Sequence, residues 1–181
     1  MSLDKEPREQ TLPATSPAPA PAAPSTTVSY RRALVPLDGS PLAEAVIPPF
    51  VIKIARPLDV EVVLLQVVEP LPSPAVDTVP IIALDTTDQE HAEADRYLTA
   101  VAGDLIRQGV RVQTLVRVGA PAEQIVEAAR ESGADLIAMT THGRSGLGRL
   151  FFGSVAEAVL HRSPVPMFLM RVTEIELSPP R

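Results

Sequence analysis

Residues 139–155 read M-T-T-H-G-R-S-G-L-G-R-L-F-F-G-S-V and set four glycines and two arginines between apolar segments. The chemistry that such a composition suits is anion binding. Glycines at 143, 146, 148 and 153 let successive backbone N–H groups turn inward on one oxyanion. A helix opening at Gly153-Ser154 adds free first-turn amides and the positive end of its macrodipole. Ser154 brings a hydroxyl donor, and Arg144 and Arg149 bring positive charge as planar forks. The segment is not a Walker loop: the G-K-S/T ending is missing, and the lysines, Lys5 and Lys53, are distant in sequence. A second polar group, Asp38-Gly39-Ser40, follows an apolar run much as Thr141-His142-Gly143 follows another.

Plainer roles exist for the same residues. Ser154-Val-Ala-Glu157 forms a capping box, in which the serine serves only its own helix. Asp38 suits a turn before a helix. His142 fits a turn hydrogen bond, and His161 near a helix C-terminus complements the dipole.

The elements that must position these groups follow from periodicity. Arg32 to Asp38 is a short apolar run that predicts a buried strand ending at Gly39-Ser40. Ser40-Pro41 predicts an N-cap with proline at the first helical position, and a helix to about Ala55 that Pro48-Pro49 bends or restarts. Val60–Val68 is a second buried strand. Residues 69–87 are expected to be a long irregular connection. A helix is expected from about Thr87 to Gln108, with Ala92, Tyr97, Leu98, Val101, Leu105 and Ile106 inward and Gly109 closing it. Val110–Val118 alternates as a strand at a sheet edge does. A helix from Pro121 to Gly133 follows, with Ile125, Val126 and Ala129 inward. Next come a strand over residues 134–139, a helix from about Ser154 to His161, and a fifth strand, Val165 to Arg171. This βαβαβαβαβ order predicts an α/β protein with a parallel sheet and helices on both faces. Ligands of such sheets settle outside the carboxyl ends of the strands, where strand order reverses. The Asp38 and Thr141 groups both leave a strand at that end.

Composition narrows the function classes. With 181 residues and 45% hydrophobic content, the chain suits one domain whose core is Val, Leu, Ile and Ala. The absence of cysteine excludes disulfides, iron–sulfur clusters and thiolate catalysis. A net charge of −6 argues against a nucleic-acid partner, and no run reaches transmembrane length. Residues 1–30, rich in proline and alanine, are expected to be a disordered tail, 31–171 the domain, and 172–181 a second tail. No secretory h-region is visible, so the expected location is cytoplasmic.

Val35-Pro-Leu-Asp-Gly-Ser40, Leu64-Leu-Gln-Val-Val-Glu-Pro70 and residues 139–155 together resemble the universal stress protein family. That resemblance implies a five-stranded parallel sheet of order 3-2-1-4-5, of the Rossmann-like, adenine nucleotide alpha hydrolase-like kind. The nucleotide-binding branch of the family carries G-x2-G-x9-G-S/T. Gly143, nine intervening residues and Gly153-Ser154 match its second half, whereas Thr140 stands where the first glycine would be. As a strand-end position, 140 accepts non-glycine dihedrals. By resemblance, Pro36 and Asp38 lie beside the adenosine portion, Val67 lines the adenine pocket, and Met139 and Thr140 border the nucleoside. Gly143, Gly153, Ser154 and Val155 meet ribose and phosphates. Arg144 joins them on charge grounds.

The implied ligand is ATP or AMP, with magnesium bridging the phosphates of ATP; no carboxylate cluster for a protein metal cage is legible. No catalytic residues are assigned, because no nucleophile–base or paired-carboxylate spacing is readable. The resemblance also implies a homodimer through Val165 to Arg171, an apolar run that would be an exposed sheet edge. An adenine-nucleotide-binding stress or signalling protein is therefore expected. The alternatives are a dimeric scaffold that has lost the nucleotide, favoured by Thr140, and a slow ATP hydrolase.

Overall fold

A computed structural model of the chain describes residues 29–70, 81–142 and 153–172. Most of both predicted tails, together with Gly143, Arg144, Gly146, Gly148 and Arg149, lies outside the described residues. The strands are β1 (Arg32–Pro36), β2 (Glu61–Val68), β3 (Val112–Val118), β4 (Leu136–His142) and β5 (Met167–Val172). They form one five-stranded sheet in the order β3-β2-β1-β4-β5, and every pair is parallel. β3 and β5 are the edges. β5 starts two residues later than the sequence suggests; Pro166 cannot donate, yet its carbonyl still accepts from Ile137 N–H at 3.1 Å.

After Ser40 the chain forms α1 (Pro41–Glu44), and then a π-helical stretch, Ile47–Ala55. The expected bend is therefore a change of helix type. Pro48 and Pro49 have no N–H to give, and the next turns bond to carbonyls five back, as Arg56 N–H does to Val51 O at 2.9 Å. α2 runs Ile81–Arg107, opening six residues before the expected Thr87. In the sequence Pro80 directly precedes Ile81, a place where a missing N–H costs a helix nothing. Its buried side is Ala94, Leu98, Ala102 and Leu105, with Tyr97 and Val101 at the margin. Ala92 and Ile106, expected inward, are exposed. α3 (Pro121–Glu131) buries Ile125, Val126, Ala128 and Ala129, and α4 (Ser154–Arg162) buries Ala156 and Val159.

Two cores result, one on each face of the sheet. Ala33, Val35, Val62 and Leu64 pack with Val46, with Phe50 and Val51 of the π-helical stretch, and with Leu98 and Leu105 of α2. Leu34, Val63, Leu65, Ile137 and Met139 pack on the other face with α3 and α4. The sorting follows from handedness. Successive right-handed crossovers build β1, β2 and β3 in one direction, then β4 and β5 in the other, so the helices change face where β1 meets β4.

Candidate functional site

The carboxyl end of β1 is shaped by three consecutive residues. Leu37 N–H still donates to Leu65 O at 2.8 Å, so the sheet ladder holds one step past the strand. Asp38 Oδ1 then accepts from Ser40 N–H at 2.9 Å, closing an Asx turn around Gly39, whose φ of 79° favours glycine. Ser40 Oγ accepts from Ala43 N–H at 3.1 Å and caps α1. The turn-forming role of Asp38 is thus real, but it does not exhaust the residue. The exposed Asp38 also borders a cavity of about 280 Å³ at the carboxyl ends of the strands.

That cavity lies at the switch point between β1 and β4. Pro36, Asp38, Val67, Met139, Thr140, Gly153, Ser154 and Val155 all line it, which brings together eight of the ten residues singled out from the sequence. The other two, Gly143 and Arg144, lie outside the described residues. Leu65, Val67 and Ile125 give it apolar walls. Gly153, Ser154, Val155 and Ala156 at the start of α4 supply backbone amides. Among the described lining residues the charged groups are both carboxylates, Asp38 and Glu69. Among the described lining residues, attraction for an anion therefore comes from the helix start and its amides.

The start of α4 departs from a capping box. Gly153, not Ser154, is the N-cap, and no side chain caps the helix. Glu157 N–H donates to Gly153 O at 2.9 Å, while the exposed Ser154 is the first helical residue. Among the described residues the first-turn amides of Ser154, Val155 and Ala156 thus have no partner. Instead, Gly153 N–H donates to Thr141 Oγ at 3.2 Å.

Thr140 lies within β4, opposite Met170 of β5. Among the described residues Asp59 is the non-glycine residue with positive φ, so position 140 makes no demand for glycine. The strand's period of two puts Thr140 on the side of Leu136 and Ala138, which pack toward α1 and α2. Thr141 shares the opposite side with Ile137 and Met139, facing α4.

Other residues of this region were given no role in the site from the sequence. Glu69 follows β2 as Asp38 follows β1, inside the Leu64–Pro70 stretch that carries the family resemblance. Tyr97 of α2 donates to Glu44 Oε1 of α1 at 2.8 Å, across 53 residues. Burial foremost, and then its bond to Glu44, push the Tyr97 phenol well above its ordinary range, so it remains a neutral donor. Among the described residues no three His, Asp or Glu side chains gather to hold a metal, and no helix is long and apolar enough to cross a membrane.

Comparison with known proteins gives the following. The model of the universal stress protein family matches residues 29–171. Universal stress protein MJ0531 of Methanocaldococcus jannaschii is 34% identical over 146 residues, which is 78% of this chain and 82% of that protein. The solved structure of protein MJ0577 superposes with a TM-score of 0.65 at 27% identity, covering 81% of this chain and 99% of that one. A universal stress protein from Archaeoglobus fulgidus, solved in complex with dAMP, shares the fold with a TM-score of 0.55 at 22% identity, covering 78% and 98%.

Proposed function

Since this chain belongs to the universal stress protein family, we propose that it binds an adenine nucleotide, ATP or AMP, in the crevice between the ends of β1 and β4. The observation that carries this reading is the cavity itself. It combines apolar walls from Leu65, Val67 and Ile125, suited to a base, with the start of α4, which no side chain among the described residues caps and which suits phosphate. Asp38 would accept from the nucleoside, as a carboxylate can toward ribose hydroxyls or an amine. The dAMP complex of the Archaeoglobus fulgidus relative supports the choice of an adenine ligand. Gly143 and Arg144 belong to the proposed phosphate contacts by motif and charge. With only Asp38 and Glu69 as described carboxylates at the cavity, magnesium would be held chiefly by ATP phosphates and water. Such a site holds a nucleotide and has little with which to cut one, so the proposed role is ligand-dependent conformation or association in a stress or signalling response, in the cytoplasm.

The test is calorimetry of the full chain with ATP and with AMP, each with and without magnesium. Saturable binding is the expected outcome; no heat of binding at millimolar ligand overturns the reading. A second reading, a dimeric scaffold without nucleotide, draws on Thr140 in place of the motif glycine. It gains ground if the parent protein binds nothing while remaining folded.

A further inference from the structure

Thr141, 6% exposed, is the polar residue among the buried ones described. Its hydroxyl oxygen accepts from Gly153 N–H at 3.2 Å, across twelve residues of sequence. This bond joins the end of β4 to the residue that caps α4. It spends one backbone donor, that of Gly153, and by doing so holds the helix start against the sheet. The three amides that follow, those of Ser154, Val155 and Ala156, belong to residues that line the cavity and have no helical partner to bond. Where those amides point depends on where Gly153 is held.

We propose that Thr141 is a positioning residue for the anion-holding end of the cavity: its hydroxyl sets the start of α4 so that the free amides converge on a phosphate. The inference rests on the adenine-nucleotide reading, and adds a division of labour within the site. Thr140 and Thr141 are neighbours with the same side chain, but the pleat sends only Thr141 to the α4 face. A role through the amides should affect the phosphate and leave the nucleoside alone.

The experiment compares AMP with adenosine by calorimetry, on the full chain and on three variants. Thr141→Val keeps the shape and removes the acceptor; Thr141→Ser keeps the acceptor and removes the methyl. Thr141→Ala is a second hydroxyl-free variant should the valine not fold. The expected result is AMP affinity about tenfold lower in Thr141→Val, the loss of one hydrogen bond's worth of placement. Adenosine affinity should be unchanged, and Thr141→Ser should stay near the parent. Faster hydrogen exchange of the Gly153 amide in Thr141→Val would accompany it. Equal weakening of AMP and adenosine, or no change in either, overturns the inference while leaving the nucleotide reading intact. A parent protein that binds neither AMP nor ATP removes both.

Discussion

At Gly153 the backbone has φ −56° and ψ 149°, values open to any residue. A side chain there would therefore change the approach of a ligand more than the strain of the chain. Gly153→Val is expected to keep a cooperative melt within a few degrees of the parent and to lose AMP affinity by about tenfold or more. Calorimetry beside thermal unfolding checks both halves. At Ser40 the expectation is reversed, because its hydroxyl already serves α1. Ser40→Ala should cost about 1 kcal/mol of stability in urea unfolding. Asp38 and Ser154 show how far single residues could be read. Both were visible as polar groups at strand and helix ends. Whether each was spent locally was not visible, since Asx turns and capping boxes are motifs that admit two outcomes. Asp38 is engaged in its turn, and Ser154 is not engaged in a cap.

Between elements, polar contacts join parts that lie far apart in sequence, and two of them bear on stability. Tyr97 ties α2 to α1 just behind the Asp38 turn. Tyr97→Phe keeps the ring's packing and is expected to cost about 1 kcal/mol, readable in denaturant melts. Arg32 of β1 and Glu61 of β2 form an ion pair at 2.7 Å, with the Glu61 side chain 16% exposed. The Arg32 hydrogen bond, first among its influences, holds the Glu61 carboxyl below its ordinary value of 4.5. A carboxylate favoured in the folded state stabilises above its unfolded pKa, and loses that contribution as pH falls through the lower, folded value. Unfolding free energy measured across the acid range below pH 4.5 should fall less steeply in Glu61→Gln than in the parent. Element boundaries were legible where apolar period and punctuation agreed, as for β2 and α3. They were not at α2, where helix-forming Ile81-Ile-Ala-Leu84 sits behind a run of prolines that reads as loop. Nor does the hydrophobic pattern announce a π-helix, which arises from where Pro48 and Pro49 withhold their donors.

For the whole molecule, β5 presents a sheet edge whose outer backbone groups have no partner strand among the described residues. We expect a homodimer through residues 165–171, seen by sedimentation at micromolar protein; a monomer there counts against it. The sequence alone determined the α/β class, the order of its strands along the chain and the chemistry gathered at residues 38–40 and 139–155. Those follow from local causes: β-branched runs, the 3.6-residue period, prolines and glycines at element ends. Tertiary structure decided what those groups do to one another. It put Pro36, Val67, Met139 and Ser154 around one cavity, although up to 118 residues separate Pro36 from Ser154. It set Thr141, not Thr140, on the face under α4, and it gave Gly153 N–H to Thr141. Such pairings depend on strand order and register, which long-range packing selects and no window of sequence contains.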